Sequence, residues 1–389
     1  MIQSIYKRKD GRWEGYVIYN NPDTGEDDKK SFYGAKRQEV NRKLSAFIDK
    51  IEAGDYSDVS KVTLEGWLKK FLDVYCAKRE TTTKEGYKRY IDNHITPFMG
   101  KLLLKDIKPI HIERFYNHER TVERYKTHII DGKMVPIFKD NKPVPIIKNG
   151  KPLIGYSEKT ILQIHRILHK AFKKAIGDGI IARNPCDSVD SPSPEDYEPV
   201  IYTEEQFLML LDKIETHRMA PLILIAGMCG LRRGELLGLT WEDIDLENGT
   251  LSITKNIVPT SQGIITKKPK TKKSERTITI PSAIIPILKT FRGIGKVYTK
   301  IDGNDYNPGS VSRAFKQLLI DNNLPHIRLH DLRHFNATMM LKNDISEREA
   351  QERLGHSNPG QTKKYQHILK DMDKKSADKL NNILKVNSL

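Results

Sequence analysis

The sequence predicts a multidomain α+β protein. It should hold a small three-stranded sheet closed by a helix, a helical middle section interrupted by a β-ribbon, and a mainly α C-terminal domain with a small antiparallel sheet. Three observations carry this reading. Short strand-like segments separated by turn formers fill residues 5 to 50, and apolar spacings of three and four take over from about residue 62. An acidic, proline-rich run, Asp190-Ser191-Pro192-Ser193-Pro194-Glu195-Asp196-Tyr197-Glu198-Pro199, then breaks the chain before a second helical stretch. The predicted boundaries are 1–58, 59–188 with the ribbon at 132–156, a linker at 189–201, and 202–389.

In the first segment Arg12-Trp13-Glu14-Gly15-Tyr16-Val17-Ile18-Tyr19 reads as a strand and Asn21-Pro22-Asp23-Thr24-Gly25 as a turn. Lys29-Lys30-Ser31-Phe32-Tyr33 is the return strand, and a helix follows over Lys36 to Leu44. Helices are predicted from Val62, with Thr63 as cap, and over 81–94, 108–123 and 158–177. The last opens at Ser157. It puts Ile161, Ile164, Leu168 and Phe172 on an apolar face, while Lys159, Arg166, Lys170 and Lys174 point elsewhere. Between Gly132 and Tyr156 a nine-residue repeat, with Asp140-Asn141 and Asn149-Gly150 as turn signals, predicts a three-stranded ribbon whose prolines weaken its ladder. Its role is open between a DNA or protomer contact and a tolerated surface insertion.

In the C-terminal part, Pro221 to Gly230 is apolar all round and reads as a buried helix that stops at Gly230. Thr250 to Lys255 and Arg276 to Pro281 alternate like strands and bracket a lysine-rich loop. The tail from Asp373 to Leu384 puts Leu380, Ile383 and Leu384 on one face of a short amphipathic helix.

The formal charge of +16 points to a polyanionic partner. It is concentrated in the middle: residues 61–183 hold 26 Lys and Arg against 13 Asp and Glu, residues 1–60 are neutral, and residues 184–389 carry only +3. Such a concentrated basic face suits a phosphate backbone, where each neutralised phosphate releases counterions. A membrane is disfavoured, because no apolar run approaches the roughly 20 residues that span a bilayer and the first residues lack an apolar signal core. Cys76, Cys186 and Cys229 are odd in number and far apart, which excludes a disulfide framework and a cysteine zinc site and fits a reducing cytoplasm.

Chemistry is suggested by a set of residues scattered over the C-terminal half: Gly230-Leu231-Arg232-Arg233-Gly234-Glu235, Pro269-Lys270-Thr271, His330-Asp331-Leu332-Arg333, and Leu354-Gly355-His356, with Tyr365 nine residues beyond His356. Arg232, at the end of a buried helix, needs a partner. Glu235, three residues on, could be a purely structural one. His330 and Arg333 share a helical face, which leaves His334 aside.

Together these motifs resemble the signature of the tyrosine recombinases, the phage and conjugative-transposon integrase class, with Gly238-Leu239-Thr240-Trp241 completing the first of them. The resemblance spans most of residues 5–370 and leaves out the ribbon. It implies an arm-type DNA-binding domain at 1–58, a helical core-binding domain at 59–188 and a catalytic domain at 202–389. It makes Arg232, Arg333 and His356 phosphate ligands, Glu235 the acid that orients Arg232, Lys270 the proton donor, with Lys272 its confusable neighbour, His330 the base, and Tyr365 the nucleophile. DNA-binding candidates are Lys9, Arg12, Lys29, Lys88, Lys159, Arg166, Lys170 and Lys272.

The implied activity is site-specific recombination through a 3′-phosphotyrosine without metal, ATP or other cofactor, which integrates and excises a mobile element. The implied partners are double-stranded DNA at core-type and arm-type sites, three further copies of the chain in a tetramer, and, as accessory factors, an excisionase and a DNA-bending protein. The tail would dock on its own domain or on a neighbour. The setting is a bacterial, nucleoid-associated cytoplasm. A Xer-like dimer resolvase and a type IB topoisomerase-like nicking enzyme are the competing readings of the same residues.

Overall fold

The computed structural model describes residues 2–20, 27–52, 61–130, 133–195, 199–269, 274–300 and 303–355. Two compact units divide the chain, one built from 1–75, 90–127 and 136–193, the other from 76–89, 128–135 and 194–389. The division does not follow the sequence-derived boundaries, because 76–89 and 128–135 group with the C-terminal part.

The first unit opens with β1 (Ile2–Lys7), β2 (Trp13–Asn20) and β3 (Asp27–Gly34), an antiparallel meander in that order, followed by α1 (Arg37–Glu52). Alternation along β2 puts Val17 and Tyr19 on the buried face with Leu44 of α1. Glu14, also buried, accepts from Arg8 at 2.8 Å and from Tyr33 at 3.3 Å.

The helical part comprises α2 (Leu64–Lys70), α3 (Thr81–Tyr90), α4 (Thr96–Met99), α5 (Pro109–Thr121) and α6 (Glu158–Gly177), with π turns at Phe71–Tyr75 and Ile91–Ile95. The expected caps are formed: the Thr63 hydroxyl accepts from Gly66 N and the Ser157 hydroxyl from Thr160 N. Buried polar pairs lock the bundle. Trp67 Nε1 donates to Ala171 O at 3.0 Å, Tyr116 Oη meets His165 Nδ1 at 2.8 Å, and His94 Nδ1 meets Glu119 Oε2 at 2.7 Å.

The three-stranded ribbon expected between Gly132 and Tyr156 is replaced by three two-stranded hairpins. They are β4 (Thr127–Ile130) with β5 (Lys133–Pro136), β6 (Phe138–Lys139) with β7 (Lys142–Pro143), and β8 (Ile147–Lys148) with β9 (Lys151–Pro152). Residues at positive φ, Asp140 and Asn141 in one hairpin and Asn149 and Gly150 in the next, make the turns. Pro143 and Pro152 end their ladders after two residues, since proline donates no N–H. The nine-residue repeat is nonetheless real in three dimensions. Lys126, Ile137 and Val144 close a cycle of backbone bonds of 2.7, 2.7 and 2.8 Å, and Arg124, Ile146 and Leu153 repeat it at 2.8, 2.7 and 3.0 Å.

The second unit holds α7 (Glu204–Lys213), α8 (Ala220–Cys229) and α9 (Arg233–Gly238). Its strands are β10 (Ile244–Asp245), β11 (Thr250–Ile253), β12 (Asn256–Thr260), β13 (Gly263–Lys267) and β14 (Arg276–Thr279). They are followed by α10 (Ile285–Thr290), α11 (Pro308–Asp321), α12 (Asp331–Lys342) and α13 (Glu347–Leu354). As its composition requires, α8 is buried on all sides, and α12 packs on it. The two expected strands pair directly with each other, Leu251 opposite Ile278. The segment between them, expected to be a loop, contains the hairpin β12–β13, turned at Gly263 (φ 121°). Glu85 accepts from Ser261 Oγ at 2.6 Å and Glu80 pairs with Lys267, which ties residues 76–89 to this hairpin.

Candidate active site

The site grows from the blunt end of α8. Gly230 ends this helix in the left-handed conformation (φ 69°), and a Cβ there would lie 2.5 Å from Leu354 and 2.6 Å from Asn336. Only glycine lets α8, α12 and the end of α13 meet this closely. Arg232 then caps α9. Its backbone N–H donates to Glu235 Oε2 at 2.9 Å and its Nη1 to Glu235 Oε1 at 2.8 Å. The structural pairing weighed for Glu235 is therefore formed, through both the backbone and the side chain of Arg232.

Three guanidinium groups from three elements converge on the last turn of α13. Arg276 Nε donates to Arg353 O at 2.7 Å, Arg333 Nη2 to Leu354 O at 2.8 Å, and Arg232 Nη2 to Gly355 O at 2.6 Å. These carbonyls lie at the negative end of the helix dipole, where cations are favoured. Arg333, only 3% exposed, also donates to Gly230 O at 2.6 Å. Arg276 reaches Glu235 with two weaker contacts of 3.3 and 3.5 Å.

Two positive charges, Arg232 and Arg276, thus flank one carboxylate. Burial opposes ionisation of Glu235, but the Arg276 charge and the Arg232 bonds overcome it and hold the carboxyl below its ordinary range. Burial lowers the pKa of Arg276 in turn, against the pull of Glu235.

His330 occupies the N-cap position of α12 and is exposed, one residue ahead of the helix that was expected to carry it. Although it meets solvent at one edge, desolvation, His334 and Arg333 push its imidazole down to about 4, so it is neutral at neutral pH. It lines a cleft of about 480 Å³ with Arg233, Arg328 and Ser312.

Arg232, Glu235, His330 and Arg333 are therefore brought into one neighbourhood, while Lys270, Lys272, His356 and Tyr365 lie outside the described residues. The DNA-binding candidates on α6, Lys159, Arg166 and Lys170, are exposed along one stripe; Lys9 and Arg12 are exposed in the turn between β1 and β2, Lys29 on β3 and Lys88 on α3. Arg12 pairs with Asp10 at 2.8 Å, and Lys29 Nζ sits 4.1 Å from the centre of the Tyr16 ring. Among the described residues no group of three or more His, Cys, Asp or Glu could hold a metal, and no helix is long and apolar enough to cross a membrane.

Three participants escaped the sequence reading. Arg276 shares a strand face with Ile278, so an arginine aimed at the core was legible in the alternation. His334, set aside, packs edge-on against His330 with ring centroids 5.1 Å apart, as its spacing of four residues allows. Asn336, buried in α12, donates to Gly227 O at 3.0 Å. No sequence signal marks it.

Arginines gathered at the ends of α8, α12 and α13 define the site, and comparison with known proteins gives its class. Residues 201–372 match the Phage integrase family, and residues 63–120 match the Phage integrase, N-terminal SAM-like domain. The chain belongs to the phage integrase family of tyrosine recombinases.

A tyrosine recombinase XerC-like protein of Caldanaerobacter subterraneus subsp. tengcongensis is 27% identical, over 94% of this chain and 95% of that relative. The ICEBs1 integrase of Bacillus subtilis is 25% identical, over 98% and 100% respectively. Among solved structures, the Tn1549 transposon integrase in complex with a circular intermediate DNA superposes with a TM-score of 0.63 at 20% identity, over 78% of this chain and 94% of that one. A lambda integrase dimer bound to a core site superposes with a TM-score of 0.55 at 19% identity, over 93% of each chain.

Proposed function

We propose that this chain is a site-specific DNA integrase that cuts and rejoins DNA strands through a 3′-phosphotyrosine and so integrates and excises a mobile element. The observation that carries the reading is the charge balance at the end of α13. Arg232 and Arg276 pair with the carboxylate Glu235, and Arg333 joins them on the last carbonyls of α13, so three guanidinium groups meet at this helix end beside one paired carboxylate. A phosphodiester brings one negative charge, and in-line attack places more on its nonbridging oxygens, so preorganised guanidinium donors favour the transition state over the ground state.

Tyr365 attacks the phosphorus through its phenolic oxygen, the P–O5′ bond breaks, and the 5′-oxygen leaves with a proton from Lys270. His330, neutral at working pH, takes the phenolic proton, and His356 joins Arg232 and Arg333 on the nonbridging oxygens. A 5′-hydroxyl from another strand reverses the step, because the phosphotyrosine bond keeps the energy of the one that broke. Arm-type sites fall to residues 1–58 and core-type sites to 59–188 and 202–389. The working unit is a tetramer on DNA, as in the lambda integrase tetramer bound to a Holliday junction, whose chain superposes with a TM-score of 0.54.

The test is covalent trapping on nicked duplexes taken from the sequences flanking the gene. The expected result is a protein–DNA adduct with the native chain and none with Tyr365→Phe. An adduct of equal yield with Tyr365→Phe would overturn the assignment. Strand transfer to a second duplex separates an integrase from an enzyme that only nicks and reseals.

A further inference from the structure

We infer that Arg276 is a positioning residue for strand cleavage, acting through Glu235 and through the end of α13. The inference rests on the integrase reading, in which Arg232 binds the attacked phosphate. Arg276 opens β14 with its side chain 8% exposed, and it bridges two separate parts of the site. Toward α9 its two Nη groups lie 3.3 and 3.5 Å from the two Glu235 oxygens. Toward α13 its Nε donates to Arg353 O at 2.7 Å, and its Nη1 also donates to Ser274 O at 3.1 Å. The grip on α13 is reciprocal, because Arg353 Nη2 donates to Thr279 O at the other end of β14 at 2.9 Å.

The division of labour follows from charge. Glu235 is 3% exposed, and half-exposed Arg232 alone would have to keep it ionised. A buried carboxylate with too little countercharge takes up a proton. Protonated, it would no longer accept both the backbone N–H and the Nη1 of Arg232, and that guanidinium would lose its fixed aim. Arg276 supplies the second positive charge without itself approaching solvent. Through Arg353 O it also holds the last turn of α13, two residues before Gly355. Lysine could supply the charge, but as a single point donor it could not bridge Glu235 and the Arg353 carbonyl together.

Two measurements test this. The first follows the Glu235 carboxyl by ¹³C NMR in glutamate-labelled protein, assigned by its absence in Glu235→Gln, and needs no DNA. With the native chain the carboxyl stays ionised below the usual glutamate range. In Arg276→Met its midpoint rises by at least about one pH unit, and in Arg276→Lys it rises less. The second is the single-turnover rate of adduct formation on a nicked duplex across pH. Arg276→Met slows the rate on the order of 10- to 100-fold near neutrality, with the acidic limb moved to higher pH and part of the rate recovered above it. In Arg276→Met/Glu235→Gln that limb no longer moves with the Arg276 substitution.

An unmoved Glu235 midpoint in Arg276→Met would overturn the inference. So would an equal loss of rate at every pH with no rescue by lysine, the mark of a merely structural residue. Failure of the native chain to form an adduct would remove the integrase reading, while the titration would still decide what Arg276 does to Glu235.

Discussion

Arg333 donates to the carbonyl of Leu354 across a distance of 2.8 Å, which ties the first turn of α12 to the last turn of α13. The same side chain holds Gly230 O at 2.6 Å, so one buried guanidinium joins three helix ends. Replacing it with alanine strips two buried carbonyls of their donor and opens a cavity, while relieving repulsion among like charges. The first terms are larger. Arg333→Ala is expected to lower stability by about 2 kcal/mol and to abolish adduct formation. Arg333→Lys should recover only part of the stability, because a point charge does not bridge both carbonyls, and should still lose the activity. Urea unfolding, read beside covalent trapping, checks both.

Gly230→Ala offers a sharper steric test. The added methyl would lie 2.5 Å from Leu354 and 2.6 Å from Asn336, on a backbone at φ 69°. The expected loss is about 2 to 4 kcal/mol, from strain and overpacking together. Gly86→Ala is the matched control. It lies in α3 with nothing within 4 Å of the added methyl, and it should stabilise the protein by up to about 1 kcal/mol. Thermal unfolding of the two variants should therefore shift in opposite directions.

How much of this was legible in the sequence depends on how local the signal was. The 158–177 helix was read to its ends because Ser157 caps it and its apolar face is regular. Arg232 and Glu235 were readable as a pair because three residues separate them on the chain. Arg276 was not connected to Glu235, 41 residues away, although its strand face was visible. The hairpin stack at 127–152 was misread as a single ribbon because its repeat is closed by backbone bonds to Arg124 and Lys126, outside the repeating units. The carbonyls of Arg353, Leu354 and Gly355 could not be foreseen as ligands for arginine. Backbone acceptors have no sequence identity, and only the packing of α13 decides which side chain finds them.

The pH dependence of stability separates Glu235 from His330. Glu235 has a folded pKa below its unfolded value, so its contribution is present above about 4.3 and is lost as pH falls through the lower folded value. Glu235→Gln should be less stable than the native chain near neutrality, and the gap should close only in strongly acidic solution.

His330 behaves similarly in sign but in a higher window. Its folded pKa is pushed down to about 4, so the fold favours the neutral ring. Its contribution is complete above the unfolded value near 6.5 and declines as pH falls toward about 4. His330→Gln should flatten the denaturant midpoint between those limits. If the His330→Gln and native curves ran parallel there, the ring would not be held neutral by the fold.

The basic stripe on α6 makes a prediction about DNA. Lys159, Arg166 and Lys170 project from one exposed side of a helix whose other side, with Ile164, Leu168 and Phe172, is fully buried. If each neutralises one phosphate, replacing all three with glutamine should reduce the slope of log affinity against log salt by roughly 2.7, about 0.9 per contact. The buried face is untouched, so thermal stability should stay within about 0.5 kcal/mol of the native chain. Competition with unrelated duplex DNA should show both sequences weakened alike, since phosphate contacts carry no base information. An unchanged salt slope would place the DNA on another face of the helical unit and leave the stripe as solvated surface.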